Sequence, residues 1–185
     1  MTEELIDLNA LEEQMNSVNK QIEELKRQNI ETSKKVFHGA IAAFFKMYPE
    51  VAAIRWQQYT PYFNDGDVCE FGVHPPEFYS KEDFEERDFD YEGNSWHKPS
   101  QWVYDQVAKG EDKYGHIASY KKEIAEYEAL EAELGSRIHE INAGIEKFEK
   151  VFRSIDDDTM QSLFGDHVVV TATPNGIDVD EYDHE

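Results

Sequence analysis

Basic residues are scarce in this sequence. Eighteen Lys and Arg stand against 40 Asp and Glu, a formal net charge of −22 at pH 7 over 185 residues. A surface of that sign repels phosphate backbones and anionic membranes and attracts basic proteins, so neither direct nucleic-acid binding nor membrane association is expected. Cysteine is limited to Cys69, which excludes an internal disulfide framework. No apolar run approaches the roughly 20 residues needed to span a bilayer. The opening MTEELIDLNA has no basic stretch followed by an apolar one, as a signal peptide requires, so the expected compartment is the cytoplasm. The chemistry-bearing motifs are missing as well: no CxxC, HExxH, P-loop, GxGxxG or GxSxG occurs.

Aromatic and aliphatic residues are plentiful. Hydrophobic residues make up 39% and aromatics 13%, enough for one medium domain with a real core. Two stretches carry heptads. In the first, Leu8, Leu11, Met15, Val18, Ile22 and Leu25 alternate at spacings of three and four, with Asn29 at the next a position and Thr32 and Val36 beyond it. A lone Asn at an a position costs stability but fixes register and oligomer state. In the second, Ile117, Tyr120, Ile124, Tyr127, Glu131, Leu134, Ile138, Ile141, Ile145, Phe148, Phe152 and Ile155 form a seam that only Glu131 interrupts. At about 1.5 Å per residue this helix would be roughly 60 Å long. The expected fold is α+β: long antiparallel coiled-coil helices form a stalk, and a small antiparallel β-sheet forms a head. The stalk would pair in a homodimer, and a hairpin closed within one chain is the alternative.

The head is expected between and after these helices. Past Val36, VFHGAIAAFFKMY is apolar on most sides and should enter the head before Pro49 ends the helix. VAAIRWQQYT and VCEFGV read as two strands around the NDGD turn, with Cys69, Phe71 and Val73 on one face. HVVVTAT, a PNG turn and IDVDEY make a second hairpin, the last part being either an acidic edge strand or a disordered tail. Between stalk and tail, Asp158 is the expected cap of TMQSLF, and the Asp156–Asp158 triplet should end the preceding helix. The chain therefore divides into residues 1–47, a helix entering the head; 48–115, hairpin and acidic aromatic head; 116–155, the second helix; and 156–185, an acidic segment with a hairpin.

The string Arg55-Trp56-Gln57-Gln58-Tyr59-Thr60-Pro61-Tyr62-Phe63-Asn64-Asp65-Gly66-Asp67, followed by Cys69, Phe71 and Val73, resembles a motif in acidic accessory proteins of tailed bacteriophages and prophages. That family has no assigned catalytic residue, so the resemblance implies a phage accessory protein acting in the bacterial cytoplasm and no particular reaction. Asp65, Asp67, Cys69 and His74 could be drawn as metal ligands, but the two aspartates read as turn residues and a lone Cys with scattered His is no zinc pattern. No metal and no cofactor is expected. Cys69 has no identifiable base, and Glu70 beside it opposes thiolate formation.

Charge is unevenly placed. Residues 1–50 carry −3 and 116–153 carry −2, whereas 51–115 carry −8 and 154–185 carry −9. Within 77–92, eight acids stand against Lys81 and Arg87, interleaved with aromatics. Glu82, Asp83, Glu85, Glu86, Asp88, Asp90, Tyr91, Glu92 and Trp96 are the expected partner-binding face, since aromatics ringed by charge are typical of interface hot spots. The sequence thus points to a non-enzymatic, acidic, dimeric protein that engages and inhibits a basic host protein. Nucleic-acid-binding proteins are the natural target class, because spaced carboxylates can imitate duplex phosphates at about one charge per 1.7 Å. An architectural or assembly protein, and a small-ligand or metal-dependent enzyme using Tyr59 to His74, are the alternatives.

Overall fold

The computed structural model describes residues 8–63, 66, 68–86, 96–110 and 115–182. Helix α1 runs unbroken over Leu8–Met47 and is followed by strand β1, Val51–Tyr59. Short strands β2 (Gly72–Val73) and β3 (Glu77–Ser80) come next, then helices α2 (Lys81–Glu86) and α3 (Gln101–Lys109). Helices α4 (Ile117–Leu134), α5 (Arg137–Arg153) and α6 (Asp157–Phe164) precede the hairpin β4 (Val168–Thr173) and β5 (Gly176–Glu181). The fold is α+β with one antiparallel sheet in the order β2–β1–β4–β5, and β3 also pairs with β1. Ile54 and Arg55 pair with both β3 and β4, and Gln58 with both β2 and β4. Strands β2 and β3 therefore share one side of β1, separated by His74, Pro75 and Pro76.

Alternation along β1 sets the layers. Ile54, Trp56 and Gln58 point inward and are buried, while Arg55, Gln57 and Tyr59 are half-buried on the outer face. Against the inner face lie the second half of α1, through Phe37, Ile41, Phe44 and Phe45, and α5, through Ile141, Ile145, Phe148 and Phe152. Phe37 contacts Trp56, Phe148, Phe152 and Phe164 with ring centroids 5.8–6.1 Å apart, edge-on or tilted contacts of the kind aromatic rings prefer. The apolar stretch after Val36 thus enters the head as its composition requires. Helices α1 and α5 approach closely enough that a Cβ on Gly144 would overlap the Tyr48 ring. Arg137, at the first turn of α5, donates from Nη2 to the Met47 carbonyl at 2.6 Å and pairs with Glu50 at 2.8 Å. It satisfies a carbonyl that the end of α1 would otherwise leave without a helical partner.

Several expectations change. The second seam is not one helix: Gly135, at φ 56° and ψ −130°, separates α4 from α5, a backbone conformation open to glycine alone. Ile138, Ile141 and Ile145 are fully buried in the head rather than lining a stalk. Ile117, Ile124 and Leu134 are half-buried on α4, which packs against α3, where the Trp102 and Tyr120 rings meet at 5.5 Å. Glu131 disturbs nothing, because it is exposed and accepts a hydrogen bond from the Tyr127 hydroxyl at 3.3 Å. The first hairpin is shorter than its sequence pattern: Tyr59 pairs with Gly72, and Val68–Phe71 lie outside any strand. The cap of α6 is Asp156, whose side chain accepts from the Thr159 N–H at 2.9 Å, not Asp158. Asp157 and Asp158 then occupy the first turn of α6, where the helix dipole favours them.

Candidate interaction surfaces

The seam of α1 stands free. Leu11, Met15, Val18, Ile22 and Leu25 are 45%, 60%, 46%, 45% and 65% exposed, and from Leu11 onward Ile30 is the first half-buried apolar residue along the helix. Roughly 30 Å of amphipathic helix, at about 1.5 Å per residue, therefore shows its apolar stripe to solvent. Asn29 is exposed where the stripe reaches the head, beside a groove lined by Ile30, Asp156, Thr159 and Gln161. The side chain of Leu8 lies outside the described residues.

Of the acidic aromatic face, Glu82 is exposed on α2 and Trp96 is buried at 2%. The Trp96 indole donates to the Phe78 carbonyl at 3.0 Å, so this ring anchors the segment to the head and is not presented to a partner. Asp88, Asp90, Tyr91 and Glu92 lie outside the described residues, as do the side chains of Asp83, Glu85 and Glu86.

Within the string Arg55–Asp67, residues 56–60 form a structural lock. The Trp56 indole donates to Gln58 Oε1 at 3.2 Å, and Gln58 Nε2 donates to the carbonyls of Met160 at 3.1 Å and Gly165 at 2.6 Å. Gln58 is fully buried and fully engaged. The Thr60 N–H and hydroxyl donate to Asp166 Oδ1 and Oδ2 at 2.8 and 2.7 Å, and the His167 N–H also donates to Oδ1, at 2.8 Å. Burial pushes the Asp166 carboxyl up, but these hydrogen bonds outweigh it and hold the group below its ordinary range. Residues 56–60 thereby fasten β1 to the turn between α6 and β4. This pairing, about a hundred residues apart in sequence, carries no local signal that could have revealed it. Beyond the lock, Tyr62, Phe63 and Val68 are 66%, 76% and 78% exposed, so these three apolar side chains flanking residues 64–67 face solvent.

Chemistry is sparse around Cys69 and His74. Cys69 is half-buried, and the exposed His74 ring stacks on Tyr59 at 4.9 Å. Asp65 and Asp67 lie outside the described residues. Among the described residues no group of three His, Cys, Asp or Glu side chains is arranged to hold a metal, and no helix is long and apolar enough to cross a membrane. A cleft of about 440 Å3 beside β1 and the β2–β3 connection is lined by Arg55, Trp56, Gln57, His74, Pro75, Pro76 and Glu77. There the Tyr79 hydroxyl donates to Glu77 Oε2 at 2.6 Å. Burial, reinforced by Glu77 and only partly opposed by Arg55, pushes that hydroxyl far above its usual range, so it serves as a donor and not as a base.

At the far edge of the sheet, β5 carries Asp178, Asp180 and Glu181. A second cavity of about 430 Å3 lies between α1 and the β4–β5 turn, lined by Ile41, Ala42, Phe45 and Ile177 among others. Compared with protein-family models, with curated proteins and with solved structures, the chain has no match.

Proposed function

We propose that this chain is a non-enzymatic, acidic binding protein that pairs through the free half of α1 and engages a basic protein. The carrying observation is the separation of two surfaces. The exposed seam lies in the nearly neutral first 50 residues, whereas residues 51–115 and 154–185 hold −8 and −9. A helix that gains nothing from tertiary packing is marginal in water, and a heptad stripe is the pattern that a second copy covers. Because α4 packs against α3, the pairing is two-stranded, α1 against its copy, in place of a stalk built from both seams. Such a dimer holds two acidic heads together, which raises the effective concentration of the second for any extended target. The resemblance to phage accessory proteins supplies the setting, a bacterial cytoplasm; the net charge of −22 supplies the target class, a basic host protein of the nucleic-acid-binding kind that the dimer would inhibit. Imitation of duplex phosphates is the narrower form of this reading.

Sedimentation of the wild type and of a Met15→Glu, Ile22→Glu variant tests the pairing. The wild type should run as a dimer and the variant as a folded monomer. A wild type that stays monomeric at tens of micromolar, about the range in which weak coiled coils associate, would remove the seam from the argument. The seam also fits an assembly protein, and species larger than a dimer would favour that reading. For the acidic face, replacing Glu85, Glu86, Asp88 and Asp90 by Lys should slow association with a basic nucleic-acid-binding protein at low salt, with less effect at high salt. Equal binding by both forms would reduce the acidity to a solubility device.

A further inference from the structure

We propose that the open edge of β5 is a strand-addition site for an extended peptide that alternates apolar and basic residues. This rests on the reading of the chain as an acidic binding protein and names where and how the partner docks. β5 is the last strand of the sheet, paired on one side to β4 through Val168↔Glu181, Val170↔Val179 and Ala172↔Ile177. The Tyr182 N–H donates to the His167 carbonyl at 2.8 Å. Because antiparallel pairs alternate between bonded and non-bonded, the same parity holds along the ladder. Gly176, Asp178 and Asp180 thus turn their backbone groups toward β4, while Ile177, Val179 and Glu181 turn theirs toward the open edge.

Side chains follow the complementary alternation. Val168, Val170 and Ala172 belong to the core, so their partners Glu181, Val179 and Ile177 face the same inner side. Val179 is 46% exposed there, and the cavity of about 430 Å3 opens beside Ile177, walled by Ile41, Ala42 and Phe45 of α1. An added strand would drop alternate side chains into this apolar groove. His38 and Lys46 also line its helix wall, which disfavours a basic side chain on the inner side. On the outer side the added strand would meet Asp178 and Asp180, in a tail that holds no Lys or Arg after Arg153. Charge complementarity therefore puts the basic residues outside and the apolar ones inside. A second copy of β5 would set aspartate against aspartate, so the edge resists self-pairing while remaining open to a basic strand.

The test uses the full chain and two isomeric synthetic peptides, one alternating valine and lysine, the other with the same residues in two blocks. Binding is followed at low salt by titration and by amide hydrogen exchange. The alternating peptide should bind about tenfold tighter than the blocked one and should slow exchange at Ile177, Val179 and Glu181. Exchange at Asp178 and Asp180, already bonded to β4, should change little. Asp178→Lys with Asp180→Lys should abolish the preference. Ala42→Trp, at an exposed helix position beside the groove, should weaken binding while leaving the aspartates in place. If both peptides bind equally without protecting those three amides, the edge proposal fails while the acidic reading stands. If neither binds anywhere on the protein, the acidic reading itself fails.

Discussion

Asp166 shows how a single carboxylate can organise a junction. It receives the Thr60 N–H and hydroxyl, the His167 N–H and a Gln161 amide N–H at 3.2 Å, next to a residue at φ 54°, a region that non-glycine residues seldom visit. Its folded pKa lies below the ordinary aspartate value, as does that of the α6 cap Asp156. The unfolded chain therefore binds protons more readily than the folded one. The stability these groups contribute is fully present above about pH 4, the ordinary aspartate value, and is lost as the pH falls below it through the folded pKa values. Urea unfolding followed from pH 7 down to pH 3 should show this loss in the wild type and a shallower one in Asp166→Asn, which starts from lower stability at neutral pH. Identical slopes in the two proteins would mean that Asp166 is not one of the groups responsible. In the sequence this residue is one acid among forty, and only the fold makes it distinct. Gln58 is similar: its neighbours mark a strand, but its burial against Met160 and Gly165 depends on where α6 lands.

At the scale of elements, helix ends decided what heptad spacing could not. The seam from Ile117 to Ile155 keeps its period across Gly135 and Ser136, yet the helix breaks there. α5 places its Ile and Phe in the core between α1 and the sheet, whereas α4 packs against α3 and reaches that core through Leu130 and Leu134 near its end. The Asp triplet was legible as a boundary, and α5 does end at Arg153; which aspartate caps the next helix depended on backbone geometry, with Asp156 at φ −71° and ψ 154°. Asp156→Ala should cost about 0.5–2 kcal/mol, the usual worth of an N-cap. Asp158→Ala should cost only a few tenths, as for a first-turn charge at about 0.3–1 kcal/mol or less. Equal losses in thermal melts would contradict the capping geometry.

Across the whole molecule, the exposure of the first half of α1 predicts that it and the head are energetically separate. Among the described residues every buried apolar residue lies at Phe37 or beyond, and none of the three tryptophans, Trp56, Trp96 and Trp102, lies in α1. Their fluorescence therefore reports the part of the molecule outside α1. A chain beginning at Asn29 should be monomeric at every concentration and keep its tryptophan-detected melting within about 4 °C of the wild-type monomer, equivalent to roughly 1 kcal/mol or less at this size. A collapse of the melting transition would show that the free half of α1 supports the head after all. In the proposed dimer the uneven charge would serve the same division, since near-neutral flanks would let two copies of α1 approach while the heads carry most of the repulsion.

Local pattern by itself determined the α+β class, the entry of α1 into a head after Val36, the C-terminal hairpin with its Pro-Asn-Gly turn, and the uneven distribution of charge. Each of these follows from spacing or composition within a few turns of chain, where periodicity and turn chemistry act directly. Tertiary structure alone decided that Ile138, Ile141 and Ile145 are core and Leu11 to Leu25 are free, although both sets have the same heptad signature. It also placed Trp96 under Phe78, joined Gln58 and Thr60 to the α6–β4 turn, and left β5 at an open edge beside a groove on α1. The physical reason is that burial and pairing are properties of two surfaces meeting. A sequence prints each apolar stripe, and only the packed chain shows which stripes have found their partner within it.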